Sequence, residues 1–219
     1  MRAKLTFPAS AIAALLLVAA CGNNPSARAG IVAALPPTSD ANISGTTIND
    51  PPASGYGLVI NIFSNTRALI EFDTSSLPQS ALLDAVTLQI GEFADANPPC
   101  IVNIEGFGDN GIITASDATA AATLIGSYSA TALGGGRHSI DLNTSVLQSL
   151  VGTNQYLALR LESGSSATNT SIGALEVGGA YGPPSLSATY HVPEPSAIAL
   201  IAAGSLLSLV RIRRTTSRR

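Results

Sequence analysis

From residue 58 to residue 190 the chain repeats one pattern nine times: a run of six to nine residues rich in Val, Ile, Leu, Phe, Thr and Tyr, then a break of Gly, Pro, Asn or Asp. Within residues 85–93 (AVTLQIGEF), Val86, Leu88 and Ile90 share one face and Thr87, Gln89 and Gly91 the other, the two-residue period of a half-buried strand. Such runs cannot form a helical apolar stripe. They predict an all-β, antiparallel β-sandwich with strands at 58–63, 67–72, 85–93, 101–107, 123–128, 137–142, 156–161, 172–177 and 185–190. Residues 30 to about 54 read as a Pro/Ser/Thr/Asn-rich approach, with a first edge strand at 42–48. One helix is expected over residues 144–151 (TSVLQSLV), N-capped by Asn143, with Val146, Leu147, Leu150 and Val151 on one side to plug an end of the sandwich.

The apolar fraction of 46% supplies a core, while charged residues make up only 11%, which suits uncharged strand faces and turns. Charge is sharply partitioned. Eight of the eleven basic residues lie at the ends, and only Arg67, Arg137 and Arg160 stand among the fourteen acidic residues between Asp40 and Glu194. That stretch carries a formal charge of -11, which repels phosphate and excludes nucleic acid as a partner. The two cysteines make no disulfide framework, and Cys100 reads as a small buried apolar residue opening a strand.

The first 29 residues read as an export signal: Arg2 and Lys4 precede the short apolar run 9–20 (ASAIAALLLVAA). Ala27-Arg28-Ala29 before Gly30 fits signal peptidase. Val18-Ala19-Ala20-Cys21 resembles a lipobox, in which Cys21 would receive lipid; cleavage after Ala29 is preferred, because a lipid would duplicate the C-terminal anchor. The β-domain then runs over residues 30–190.

Residues 191–219 form the last segment, in which Val192-Pro193-Glu194-Pro195 leads into the apolar run 196–210 (SAIALIAAGSLLSLV) and then Arg211, Arg213 and Arg214. Fifteen helical residues reach roughly 22 Å against a hydrocarbon core of ~30 Å, a minimal span completed by Ile212 and snorkelling arginines. Arginines after a span belong on the cytoplasmic side, which places the acidic domain outside. The order Val-Pro-Glu-Pro, short apolar helix and Arg-rich end resembles the PEP-CTERM sorting signal of Gram-negative bacteria that make exopolysaccharide. The resemblance implies recognition of Pro193, Glu194 and Pro195 by an exosortase, a membrane cysteine peptidase. It implies an inner-membrane-anchored intermediate that is then moved to the cell surface or extracellular matrix.

Residues 67–88 (RALIEFDTSSLPQSALLDAVTLQI), with 137–151, 156–162 and 183–190, resemble the DNRLRE-type jelly-roll modules of bacterial surface proteins. The resemblance implies a jelly-roll-like sandwich, and some members of that family bind polysaccharides. Here the chain departs from a sugar-binding pattern. It has no Trp, its tyrosines are Tyr56, Tyr128, Tyr156, Tyr181 and Tyr190, and its acidity disfavours anionic glycans such as alginate.

Catalytic constellations are scarce. His138 and His191 are the only histidines, and His138, near Asp141 in a strand, reads as a satisfied strand histidine whose removal leaves stability nearly unchanged. HExxH, CxxC, GxSxG and phosphate-loop motifs do not occur. Glu71 and Asp73 share one strand face, with Asp73 expected to cap its own turn, and Glu92 with Asp95 is expected to open a loop. Asp95 and Asp109 are candidate oxygen ligands for Ca²⁺, without EF-hand spacing; no other cofactor is expected. The sequence reads as an exported, non-catalytic surface or exopolysaccharide-matrix protein, the alternative being a carbohydrate-binding module of the matrix.

Overall fold

A computed structural model describes residues 30–49, 57–61, 65–93, 100–130, 136–164, 169–175 and 181–193, within a compact unit spanning Gly30–Val192. The strands are β1 (Ile31–Leu35), β2 (Pro37–Ser44), β3 (Thr47–Asn49), β4 (Leu58–Asn61), β5 (Thr66–Asp73), β6 (Leu82–Glu92), β7 (Cys100–Asp109), β8 (Thr123–Ala130), β9 (Gly136–Asp141), β10 (Tyr156–Ser163), β11 (Asn169–Ile172) and β12 (Ser185–His191). One helix, α1 (Thr144–Val151), and a 3₁₀ turn at Ala115–Ala118 complete the described elements. All strand pairings among the described residues are antiparallel, in two layers. The first layer is β1-β12-β6-β9 and the second β3-β2-β5-β10-β7-β8. The short pair β4-β11 links them, through Asn61 opposite Thr66 and Ile172 opposite Glu92, so the ladder runs on around a corner.

Alternation places the core where the sequence predicts it. Val86, Leu88 and Ile90 of β6 face Ala68, Ile70 and Phe72 of β5 and Leu157, Leu159 and Leu161 of β10 within one cluster, all buried. Helix α1 starts as expected: the Asn143 side chain accepts from the Val146 amide, satisfying a first-turn donor that has no intrahelical partner. Leu147 is fully buried, while Val146, Leu150 and Val151 pack on the core edge. Gln148 pins the helix to the start of β6, donating to the Ala81 carbonyl at 3.0 Å and accepting from the Leu83 amide at 2.7 Å. The helix therefore closes the end of the sandwich at which β6 begins.

Three sequence expectations are corrected. Residues 30–44 are not an irregular approach: they make β1, beside β12, and β2, beside β5. Pairing partners far along the chain, absent from any local window, satisfy the polar residues of β2. Asn42 accepts from the Val59 amide and Asp40 from the Leu175 amide, each at 2.7 Å. The edge strand expected at 42–48 is instead a hairpin, because Ser44 pairs with Thr47 across a two-residue loop in which Gly45 takes φ +60°, a conformation open to glycine. The strand expected at 172–177 is instead β11, ending at Ile172, and the Leu175 amide turns to Asp40. Part of that expected run, residues 176 and 177, lies outside the described residues.

Candidate functional site

Charged side chains gather on the outer face of the second layer. In β5 the residues between the core positions, Arg67, Leu69, Glu71 and Asp73, point away from the sandwich interior, as do Glu105 of β7 and Arg160 of β10. Residues 110–122, which carry the 3₁₀ turn, lie over this face with Ala118 against Leu69, Phe107 and Ala158. Arg160 is the anchor. Its Nε donates to Glu105 at 2.9 Å, and its Nη1 donates to the carbonyls of Asp117, Ala118 and Ala120 at 3.0–3.1 Å. Arg67 adds a second clamp, donating to Glu162 at 2.9 Å and to the same Ala118 carbonyl at 2.7 Å. Two of the three arginines of the acidic stretch are thereby engaged in holding the covering segment, and the planar guanidinium fits this task by presenting several donors at fixed angles.

Beside this clamp, β10 carries the small residue Ala158 opposite Glu71, which leaves room for Glu71 and Asp109 to approach across the strand. Glu71 is fully buried, and Ser39 donates to its Oε2 at 2.6 Å. Burial pushes the Glu71 carboxyl up to about 7; the bond from Ser39 opposes the rise, the neighbouring Asp109 carboxylate adds to it, and the Gly111 amide again opposes it. Glu71 Oε1 and Asp109 Oδ2 are buried with no hydrogen-bond partner, a setting that favours a neutral Glu71. The sequence shows Glu71 and Asp73 as the pair, but the fold separates them. Asp73 instead accepts from the Ser75 amide at 2.8 Å, which holds its carboxyl below the usual carboxylate range, as expected of a turn residue.

A third polar group sits between the layers at the end where β6 finishes. Glu92 does not open a loop: it is the last residue of β6, fully buried, and Nε2 of His138 approaches it at 2.6 Å. Alternation brings this about, since His138 is two residues before the buried Ile140 and opposite Ile90. Tyr128 lies against the imidazole, ring centres 5.4 Å apart. Asp141, the sequence neighbour expected beside His138, faces outward and accepts from Thr87 at 3.0 Å. His138 is thus a half-buried strand histidine satisfied by a carboxylate, and its partner is Glu92 rather than Asp141.

A cleft of about 390 Å³ opens between residues 74–79 and 151–155, next to α1. Its polar groups include the side chains of Thr74, Ser75, Gln79, Thr153 and Asn154. It holds no carboxylate, histidine, lysine, arginine or cysteine, so it offers hydrogen bonds but no acid, base or thiolate. The aromatic residues give no open platform: among the described residues Tyr190 is buried, Tyr128 and Tyr156 are half-buried, and Tyr181 stacks on Phe93 at 4.4 Å.

The candidate metal ligands divide. Asp109, at the end of β7, turns one oxygen to the Asn110 amide at 2.8 Å and the other toward Glu71, while Asp95 lies outside the described residues. No group of three or more His, Cys, Asp or Glu side chains converges among the described residues. Of the residues expected to form a sorting motif, Val192 and Pro193 are described and exposed, immediately after β12; Glu194 and Pro195 lie outside the described residues. So do Cys21, Ala27, Ala29, Arg211, Arg213 and Arg214. Cys100 opens β7 as a buried free thiol, as its sequence setting suggests.

No protein-family model matches the chain, and no curated protein matches it either.

The Arg160–Glu105 and Arg67–Glu162 pairs were legible in part. Each charged residue stands one step from a core residue in a period-two run, so its exposure to the opposite face follows from sequence. Which charges meet depends on strand order. That order sets Arg160 opposite Glu105, a pairing 55 residues apart in sequence that no local motif announces.

Proposed function

We propose that the chain is an exported, non-catalytic protein of the bacterial surface or exopolysaccharide matrix, delivered through a PEP-CTERM-type tail by an exosortase. The observation that carries this reading is the order of the C-terminal sequence: Val192, Pro193, Glu194, Pro195, the apolar run 196–210, then Arg211, Arg213 and Arg214. Two prolines keep the motif out of helix and central strand, and an extended segment is what a peptidase active site accepts. The domain ends in a manner that suits such handling, since β12 stops at His191 and leaves Val192 and Pro193 exposed. The export segment, with cleavage after Ala29, would deliver the domain to the same side of the membrane as the tail requires. On this reading the β-domain is a jelly-roll-like module, and its charged clusters serve the fold.

The test is replacement of Pro193-Glu194-Pro195 by three alanines in a strain with a working exosortase. The altered chain should stay in the membrane fraction at full precursor length while the unaltered one is processed. Equal processing of both would remove the sorting reading.

One observation favours a second reading, a carbohydrate-binding module: the cleft beside α1 is open and lined by hydroxyls and amides of the kind that bond sugar hydroxyls. It lacks an aromatic wall, and the domain's negative charge argues against anionic polymers. Titration with neutral and anionic glycans separates the readings, and binding that is lost on Asn154→Ala would favour the module.

A further inference from the structure

We infer that the end of the sandwich at which β1 begins and β12 finishes is a lipid-contacting rim, resting against the membrane interface while the tail-bearing chain is anchored. The inference rests on the tail reading above and extends it to the domain. The juxtaposition behind it is that Ile31, Val32, Leu82 and Val192, four of the large apolar residues left exposed in the described fold, gather at the edge from which both terminal segments depart.

The register places them together. Ile31 stands opposite Tyr190 and Val32 opposite Thr189 on the antiparallel pair β1-β12, while Leu82 stands opposite His191 on β12-β6. Val192 follows directly. Their exposures are 50% for Ile31, 68% for Val32, 44% for Leu82 and 37% for Val192, whereas Leu35, Val86 and Ala188, farther along the same strands, are buried. Apolar side chains scattered singly on a surface need no explanation, but a group at one edge marks a contact surface. Among the described residues of this edge, Asp84 and His191 bond each other at 2.9 Å.

Chain length fixes the occupant. From Val192 to Ser196, where the apolar run starts, is four residues, a reach of at most about 14 Å at ~3.5 Å per residue. If residues 196–210 cross the bilayer, Val192 cannot stand farther than that from the interface. Gly30, where the mature chain would begin, abuts the same place: a side chain there would meet Thr189 and approach Asp84. The apolar rim therefore faces headgroups and upper acyl chains, the depth at which amphipathic surfaces bury their apolar residues. Glu92, His138 and Cys100, at the other end of their strands, point away from the membrane.

The chain contains no tryptophan, so a single introduced one is a clean reporter. Val32→Trp and Leu82→Trp place it in the rim, and Ile101→Trp places it at a comparably exposed site (50%) near the far end, at the start of β7. Each tail-bearing chain is purified from membranes of cells without the exosortase and reconstituted into vesicles of phosphatidylcholine with and without brominated acyl chains. Co-flotation with the vesicles reads the tail; quenching of tryptophan by bromine reads the rim. The expected result is flotation of all three, quenching of Trp at 32 and 82 by more than half with blue-shifted emission, and no quenching at 101. Flotation with solvent-like emission at 32 and 82 would overturn the rim and leave the tail reading standing. Failure to float would overturn the tail reading and the rim with it.

Discussion

Replacing Glu71 by Gln should make the domain more stable at pH 8 and leave it nearly as stable at pH 5. Glu71 is fully buried beside Asp109, and burial lifts its carboxyl from an ordinary 4.5 to about 7. Well below pH 4.5 both folded and unfolded chains hold the proton, so ionisation costs nothing. Between 4.5 and 7 the unfolded chain gives its proton up while the fold keeps it, and stability falls steadily as pH rises; above 7 both are ionised and the loss levels off. At 1.36 kcal/mol per pH unit the whole window is worth at most about 3 kcal/mol, and between pH 5 and 8 about 2 kcal/mol once relaxation of a carboxyl pair is allowed for. Glutamine keeps the shape, accepts from Ser39 through Oε1, and donates to Asp109 through the amide, with no proton to lose. Urea denaturation of Gly30–Val192 and its Glu71→Gln variant at pH 5, 6, 7 and 8 gives the difference directly, because every other titrating group is common to both. The expected gap opens from well under 1 kcal/mol to about 2 kcal/mol in favour of the variant. A constant gap, or one favouring the wild type at pH 8, would refute the account of a neutral, buried Glu71.

Three further outcomes follow from the same geometry. Arg160→Ala strips Glu105 and the carbonyls of Asp117, Ala118 and Ala120 of their common donor and should cost about 3–5 kcal/mol in denaturant unfolding, the range for breaking a buried ion pair. Hydrogen exchange at residues 110–122 should rise in milder Arg160→Lys, which keeps the charge and loses the fork. His138→Ala removes the cation-capable partner 2.6 Å from a fully buried Glu92 and should destabilise by about 2 kcal/mol, while a melting temperature equal to wild type would return His138 to the status of a surface residue.

Sequence alone carried the strands whose apolar residues alternate. All of the run 85–93 but its last residue lies in β6, and residues 144–151 coincide with α1, since local pattern, cap and period agree there. It failed where partners lie far away. β2 contains Asp40 and Asn42 at buried positions, the first read as loop and the second as the start of an edge strand; the amides of Leu175 and Val59, 135 and 17 residues on, complete them. The same limit governs the charged clusters. His138 was read against Asp141, three residues on, whereas a neighbouring strand supplies its true neighbour Glu92. Calcium was read from Asp95 and Asp109 by chemistry, but strand order turns Asp109 toward Glu71, while Asp95 lies outside the described residues. The cleft beside α1 left no trace in the sequence, being formed where residues 74–79 and 151–155 meet. The proposed terminal signals are the reverse case, being read as linear motifs that need no partner from the domain's fold.

The measurement that bears most directly on the proposed role is intact mass spectrometry of the protein recovered from the surface or medium of cells with a working exosortase. The account predicts a mature chain that starts at Gly30, ends near Pro193-Glu194-Pro195 and lacks residues 196–219. Recovery of a surface form that still carries Arg211, Arg213 and Arg214 would contradict it.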